Sequence, residues 1–338
     1  MDTVSFNENN NQPTNYTPNN NHQNEFKRSL HFVDSEFRTR APLVLKLLLF
    51  LIGFLGFQLI GAILSLGLGI FVRDDTLALA LTNLISYILT AIILFLLLSL
   101  IGGGKYLKIV FSGFKHGSIY MWGFLLLGLA LLIETIFSIV NTSIINSAFG
   151  DIRITNLNES SINAILNSNY RFLMIAPVVI LAPFVEEFAY RLGLMDLIGK
   201  RKKVVGLIVS SIVFGILHFN GIVFIVCLIS KQTIPDFNTA SILGNDINGN
   251  PYNLTVEEII QNIAVEFLNL PIYIFMGMCL GLAYLYSGNI VSSIIAHVSN
   301  NTLSIIVTLL NLSTIGHVLP EFLVKYADIT LRPFLMFI

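Results

Sequence analysis

The sequence predicts an all-α fold, a polytopic helical transmembrane bundle of seven or eight spans. Hydrophobic residues make up 54% of the 338 positions, and the mean hydropathy is +0.77. Charged residues make up only 12%, against roughly 25% in soluble domains. Apolar runs of about 18 residues or more, the length that crosses a bilayer, recur along the chain. A transmembrane barrel would instead show short alternating segments.

Charge and cysteine usage narrow the function. A net charge of −1 with no extended basic patch excludes a nucleic-acid partner. The one dense basic run, Lys200, Arg201, Lys202 and Lys203, follows a span directly and reads as a cytoplasmic anchor. Cys227 and Cys279 lie in apolar segments without metal or redox spacing and read as small buried hydrophobes. The Asn-rich first 24 residues lack the apolar core of a signal peptide. Residues 1–40 are therefore expected to form a polar, disordered and interfacial cytoplasmic region.

Each element follows in order. Residues 26–40 mix aromatic and charged side chains and suggest a short helix lying on the membrane surface, or equally an ordinary linker. Amino-terminal transmembrane helices and loops are expected over 41–168. Spans at 43–72, with Lys46 snorkelling at its start, and at 77–100 flank the turn Arg73, Asp74, Asp75. Gly102, Gly103 and Gly104 then break the chain. An interfacial stretch with Lys105, Lys108 and Lys115 leads to a third span at about 120–140, which holds Glu134, and a fourth follows at about 172–194.

The apolar tract 204–230 is interrupted by Asn220 and Gly221. It reads as one span to Phe219 and then a kinked or re-entrant piece, with one long tilted helix as the alternative. A long polar loop at 231–262 precedes a span at about 265–286, where Gly277 and Gly281 favour close helix packing. The last span is about 290–310. The tail, 313–338, ends in LRPFLMFI, expected to dock as a short eighth element. Lys and Arg in the amino-terminal region, at 101–118 and at 200–203 place all three on the cytoplasmic side.

Ionisable groups at membrane depth are costly and mark function. Glu186, Glu187 and Arg191 share one span, while His218 and His297 sit in two others. Glu187 and Arg191, at i and i+4 of a helix, share a face suited to an ion pair, and Glu186 lies about 100° around it. His297 and Asn301 likewise share a face. Three helices thus present polar groups to one interior. A desolvated carboxylate suits a base for water, and His and Asn side chains donate to a developing oxyanion. Alternatively, two His and one Glu make a hydrolytic zinc set with water as the fourth ligand, although HExxH is absent. A bundle-locking ion pair or an ion path competes with both. Gln58, Asn83, Glu134 and Asn269 read as helix-to-helix hydrogen bonders.

The same residues fall into three ordered motifs: EEFAYR at Glu186 to Arg191, FGILH at Phe214 to His218, and HVSNN from His297 with Asn301. In these the sequence resembles the CAAX-prenyl-protease and bacteriocin-processing family of intramembrane proteases (CPBP, also Abi), over about 170–310. The resemblance implies that Glu186 activates water with His218 in support. It implies that Glu187 and Arg191 shape the site, and that His297 with Asn301 stabilises the oxyanion. It leaves the cofactor open between none and Zn2+, whose ligands would be His218, His297 and Glu186. The catalytic core is expected at 169–312, with the 231–262 loop an expansion of the family pattern that could hold a partner.

The expected activity is an intramembrane endopeptidase acting on a membrane-associated peptide or protein, within a cavity open to the cytoplasmic leaflet. A role in bacteriocin processing or immunity follows from the resemblance alone. The expected setting is a bacterial cell membrane, multi-pass, with a cytoplasmic amino terminus and the lipid bilayer as partner. A non-catalytic membrane scaffold or immunity protein and an ion-coupled transporter are the rivals, and no internal repeat favours the transporter.

Overall fold

The computed structural model describes residues 31–150, 162, 165, 166, 168–199, 202–244 and 251–310. These residues build helices and no sheet. The amino-terminal half supplies α1 (Glu36–Arg40), α2 (Leu43–Phe71), α3 (Asp75–Leu100), α4 (Lys105–Phe111) and α5 (Gly117–Phe149). The rest supplies α6 (Arg171–Ile198), α7 (Lys203–Leu217), α8 (Gly221–Thr233), α9 (Ala240–Leu243), α10 (Val256–Ser287) and α11 (Ile290–Leu310).

Among the described residues six helices are long and apolar enough to cross a membrane: α2, α3, α5, α6, α10 and α11. Helices α7 and α8 pass that test only together and meet at a 47° bend, giving up to seven spans. The kinked reading of 204–230 holds, and the single tilted helix does not. The bend has a visible partner, because the Glu266 carboxylate on α10 accepts the Asn220 backbone N–H at 3.1 Å. That bond satisfies a donor left open where α8 starts. The eighth element was expected in the tail, which lies outside the described residues, as do residues 1–30 and the basic pair Lys200 and Arg201.

Helix α10 is the hub, packing on α5, α7, α8 and α11, while α2 and α3 pair with each other and lean on α6. At Gly277 a Cβ would sit 3.1 Å from the Ser211 Cα, so the bare backbone permits the close approach of α10 to α7. Outward faces stay apolar. Leu59, Ile63, Leu66 and Ile70 line one side of α2 at 61–77% exposure, a stripe whose natural solvent is lipid. Asp74 caps α3 through the Leu77 N–H at 3.0 Å and accepts the Tyr170 hydroxyl at 2.8 Å. These donors, the Leu77 N–H foremost, hold its carboxyl below the usual range.

Several expectations need correction. The polar loop is shorter than 231–262, since α10 begins at Val256 behind a capping box formed by Thr255 and Glu258. Glu257 and Glu258 complement the helix dipole there, and their charge disguised the first turns as loop. Helix α5 runs on to Phe149, past the expected end near residue 140. Its Asn141 bonds the Leu268 carbonyl at 2.7 Å and Asn269 at 3.1 Å, the helix-to-helix role expected of Asn269. Residues 36–40 form α1, which buries Phe37 and Arg38 against the bundle. Lys46 does not snorkel. It is fully buried and donates to the Arg38 carbonyl at 2.6 Å.

That last contact belongs to a strap across one end of the bundle. Arg38 Nε pairs with Asp196 of α6 at 2.6 Å, and the Tyr284 hydroxyl of α10 donates to the same carboxylate at 2.6 Å. Lys203 pairs with Asp34 at 2.7 Å, and the Val33 N–H bonds the Leu285 carbonyl at 2.8 Å. Tyr106 donates to the Arg40 carbonyl at 3.1 Å, and Asn289 to the Ile109 carbonyl at 3.1 Å. The three basic regions expected on one side therefore do meet at one end, with the Asp74–Tyr170 contact at the other. Asp196→Ala leaves Arg38 buried without its counter-charge. It is expected to cost about 3–5 kcal/mol, read as a large fall in thermal unfolding temperature; an unchanged temperature would show that the strap carries no stability.

Candidate active site

The motif helix α6 is not a regular helix. A π turn at Pro177–Leu181 gives way to α-helix over Ala182–Glu187 and then to π-helix over Phe188–Met195. Pro177 and Pro183 each lack an N–H for the regular ladder, and such π turns favour functional sites. The two adjacent glutamates end the α-helical part and point about 100° apart, so they meet different surroundings.

Glu187 is fully buried. Its Oε2 accepts from Arg191 Nε at 2.9 Å and from the Ser293 hydroxyl. Its Oε1 accepts from Arg191 Nη2 at 3.4 Å and from His297 Nδ1 at 3.0 Å. Arg191, equally buried, donates through Nη1 to Ser210 at 3.1 Å and lies 5.5 Å over the Phe214 ring. Glu187 thus ties α6 to α11, and Arg191 ties α6 to α7. The expected ion pair is present.

With Nδ1 of His297 turned to Glu187, Nε2 is left facing Glu186 at 3.8 Å from its Oε2; the tautomer follows from the partners. Glu186 keeps 20% side-chain exposure, and among the described residues its Oε2 has no hydrogen-bond partner. His218 ends α7 at the bend. Its Nδ1 is committed to the Phe214 carbonyl at 2.8 Å and its ring stacks on Tyr273 at 5.2 Å, so Nε2 is the free nitrogen. Asn301 donates through Nδ2 to the Val178 carbonyl at 2.9 Å, within the first π turn.

A cavity of about 260 Å³ joins these groups: Glu186, His218, His297 and Asn301 line it, whereas Glu187 and Arg191 lie behind its wall. Its lining runs from mid-bundle to Met174 and Ile162 and includes Asn83 and Gln58. None comes from the strapped end. The cavity therefore does not extend toward the strapped end.

Other polar residues also sort differently from expectation. Among the described residues Asn83 bonds only its own helix, at the Leu79 carbonyl 3.0 Å away, and with Gln58 it faces the cavity. Both oxygens of buried Glu134 lack a hydrogen-bond partner among the described residues. Sequence reasoning missed Ser210, Ser293, Tyr190 and Asn300. Ser293 had a signal, standing one helical turn before His297 on the same face. Cys227 and Cys279 are buried and free, as expected.

The proposed zinc ligands were His218, His297 and Glu186. Among the described residues no three His, Cys, Asp or Glu side chains are grouped to hold a metal ion. These residues do not fit a preformed three-ligand site.

Residues 168–303 match the family model described as type II CAAX prenyl endopeptidase Rce1-like. No curated protein and no solved structure matches the chain. The matched stretch takes in α6, α7, α8, α10 and most of α11, and so every motif residue of the site. The CPBP/Rce1-like CAAX protease family domain thus matches residues 168–303, less than half of the chain.

Proposed function

We propose that the protein is an intramembrane endopeptidase that hydrolyses a membrane-associated peptide with glutamate-activated water. One observation carries the reading. Four donors occupy Glu187, which leaves Glu186 as the carboxylate with a free oxygen on the cavity wall. A base must reach its water, and only the second glutamate of the pair is spent on architecture.

In this reading a water sits between Glu186 and the free Nε2 of His218. Glu186 takes its proton while the water oxygen attacks the scissile carbonyl carbon. His297, held through Nδ1 by Glu187, presents Nε2 to the oxyanion, and the second N–H of Asn301 donates to it. Collapse breaks the C–N bond, and Glu186 returns the proton to the leaving amine. Glu187 and Arg191 position His297 and do not touch the substrate.

A multi-pass protein of a bacterial cell membrane is the setting this reading carries, with the strapped end cytoplasmic by the positive-inside rule. The cavity then extends toward the opposite leaflet. A peptide-maturation role, bacteriocin processing included, fits a substrate reaching the site from the bilayer.

The test is cleavage of a library of membrane-tethered peptides by purified protein in nanodiscs. Glu186→Gln is expected to lower turnover by at least about 10²-fold with folding intact, and His218→Ala by a similar factor. A scaffold would tolerate Glu186→Gln, and undiminished turnover would remove Glu186 as the base. Cleavage is also expected to survive stringent chelation; loss restored by zinc would recast Glu186 and the histidines as ligands. Arg191→Ala leaves Glu187 charged and unpaired in the interior. It should lose turnover and about 3–5 kcal/mol of stability together, and unchanged thermal unfolding would contradict its positioning role.

A further inference from the structure

Asn300 is the least satisfied polar side chain on the cavity wall. It is fully buried and lines the cavity, yet among the described residues neither its Nδ2 nor its Oδ1 has a hydrogen-bond partner. On α11 it stands three residues after His297, as Asn301 stands four after it, so the two amides flank the histidine on one face. They are used differently. Asn301 gives one N–H to the Val178 carbonyl, whereas Asn300 gives the fold nothing. A buried amide left unpaired is destabilising, and an isosteric Leu would fill the same volume at no such cost. A group that opposes stability while facing the reacting residues is one kept for a ligand.

A carboxamide sets an N–H donor and a carbonyl acceptor side by side on a planar fork. In an extended peptide the N–H and C=O of a single residue point to the same side, with the same pairing of donor and acceptor. Acyl chains offer neither. Phe54, Phe57 and Met276 on the same wall give apolar surface for the side chains of such a peptide. We infer that the Asn300 carboxamide binds the substrate backbone next to the scissile bond, Nδ2–H donating to a carbonyl and Oδ1 accepting from the N–H of the same residue. The inference rests on the protease reading and names how that site holds its peptide, as an extended strand selected by backbone rather than by side chain.

The experiment uses the full chain in nanodiscs and a membrane-tethered fluorogenic peptide that the wild type cleaves. A series of its depsipeptide analogues replaces one N–H at a time by an ester oxygen on either side of the scissile bond. Asn300→Leu is expected to lower kcat/KM about tenfold, the loss of two neutral hydrogen bonds, while raising the unfolding temperature. At one position the ester is expected to slow the wild type about fivefold and to leave Asn300→Leu unaffected, a coupling that a structural role does not produce. Asn300→Ala repeats the comparison with a smaller side chain. Equal ester penalties in wild type and both variants, at every position, would overturn the role of Asn300 and leave the protease reading standing. So would a fall in unfolding temperature for Asn300→Leu, which would show the amide to be bonded within the fold. A wild type that cleaves no peptide overturns the protease reading and this inference with it.

Discussion

The site depends on one carboxylate with no capacity left. Inside an apolar bundle the charge of Glu187 is tolerable only because Arg191, Ser293 and His297 surround it with donors. The same contacts join α6 to α11 and aim the imidazole of His297, while Arg191 reaches Ser210 of α7. An ion pair of this kind is weak evidence for stability when compared with a well-packed apolar substitute. Its value here is geometric: it fixes which nitrogen of His297 faces the cavity and which glutamate is free to react.

The surrounding fold works toward the same geometry. The 100° step between neighbours on the α-helical part of α6 points the two adjacent glutamates apart, one to the wall and one behind it. The bend between α7 and α8, held by Glu266, ends α7 at His218 and leaves that ring on the cavity. Helix α10 backs both, with Gly277 letting α7 approach closely. At the strapped end, Asp196 lies on the same helix as the motif, so the pairing with Arg38 anchors α6 just beyond its π segment.

Local chemistry was readable from sequence, and the partners across helices were not. The i, i+4 pairing of Glu187 with Arg191 follows from helical spacing alone, as does the shared face of His297 and Asn301. The Ser293 contact with Glu187 depends on how α11 is rotated against α6, which no single-helix periodicity encodes. For the same reason Gln58 and Asn83 read as helix-to-helix bonders when they face a cavity. Lys46 read as a snorkelling residue because the strap that buries it is built from a short charged segment that looked like a surface helix. Acidic residues at the start of α10 read as loop, although acid in a first turn is what a capped helix favours. The prolines of α6 were visible, but a missing N–H marks an irregularity without saying whether it becomes a kink or a π turn.

The division of labour between the two glutamates is testable without any substrate. The measurement is thermal unfolding of Glu186→Gln and Glu187→Gln, side by side, in nanodiscs. With Glu186 free on the cavity wall, its neutral isostere should unfold at the wild-type temperature or above it. Glu187→Gln strips the counter-charge from buried Arg191 and should lose about 3–5 kcal/mol, a clear fall in unfolding temperature. Equal losses, or a larger loss for Glu186→Gln, would show that the lock has been assigned to the wrong carboxylate.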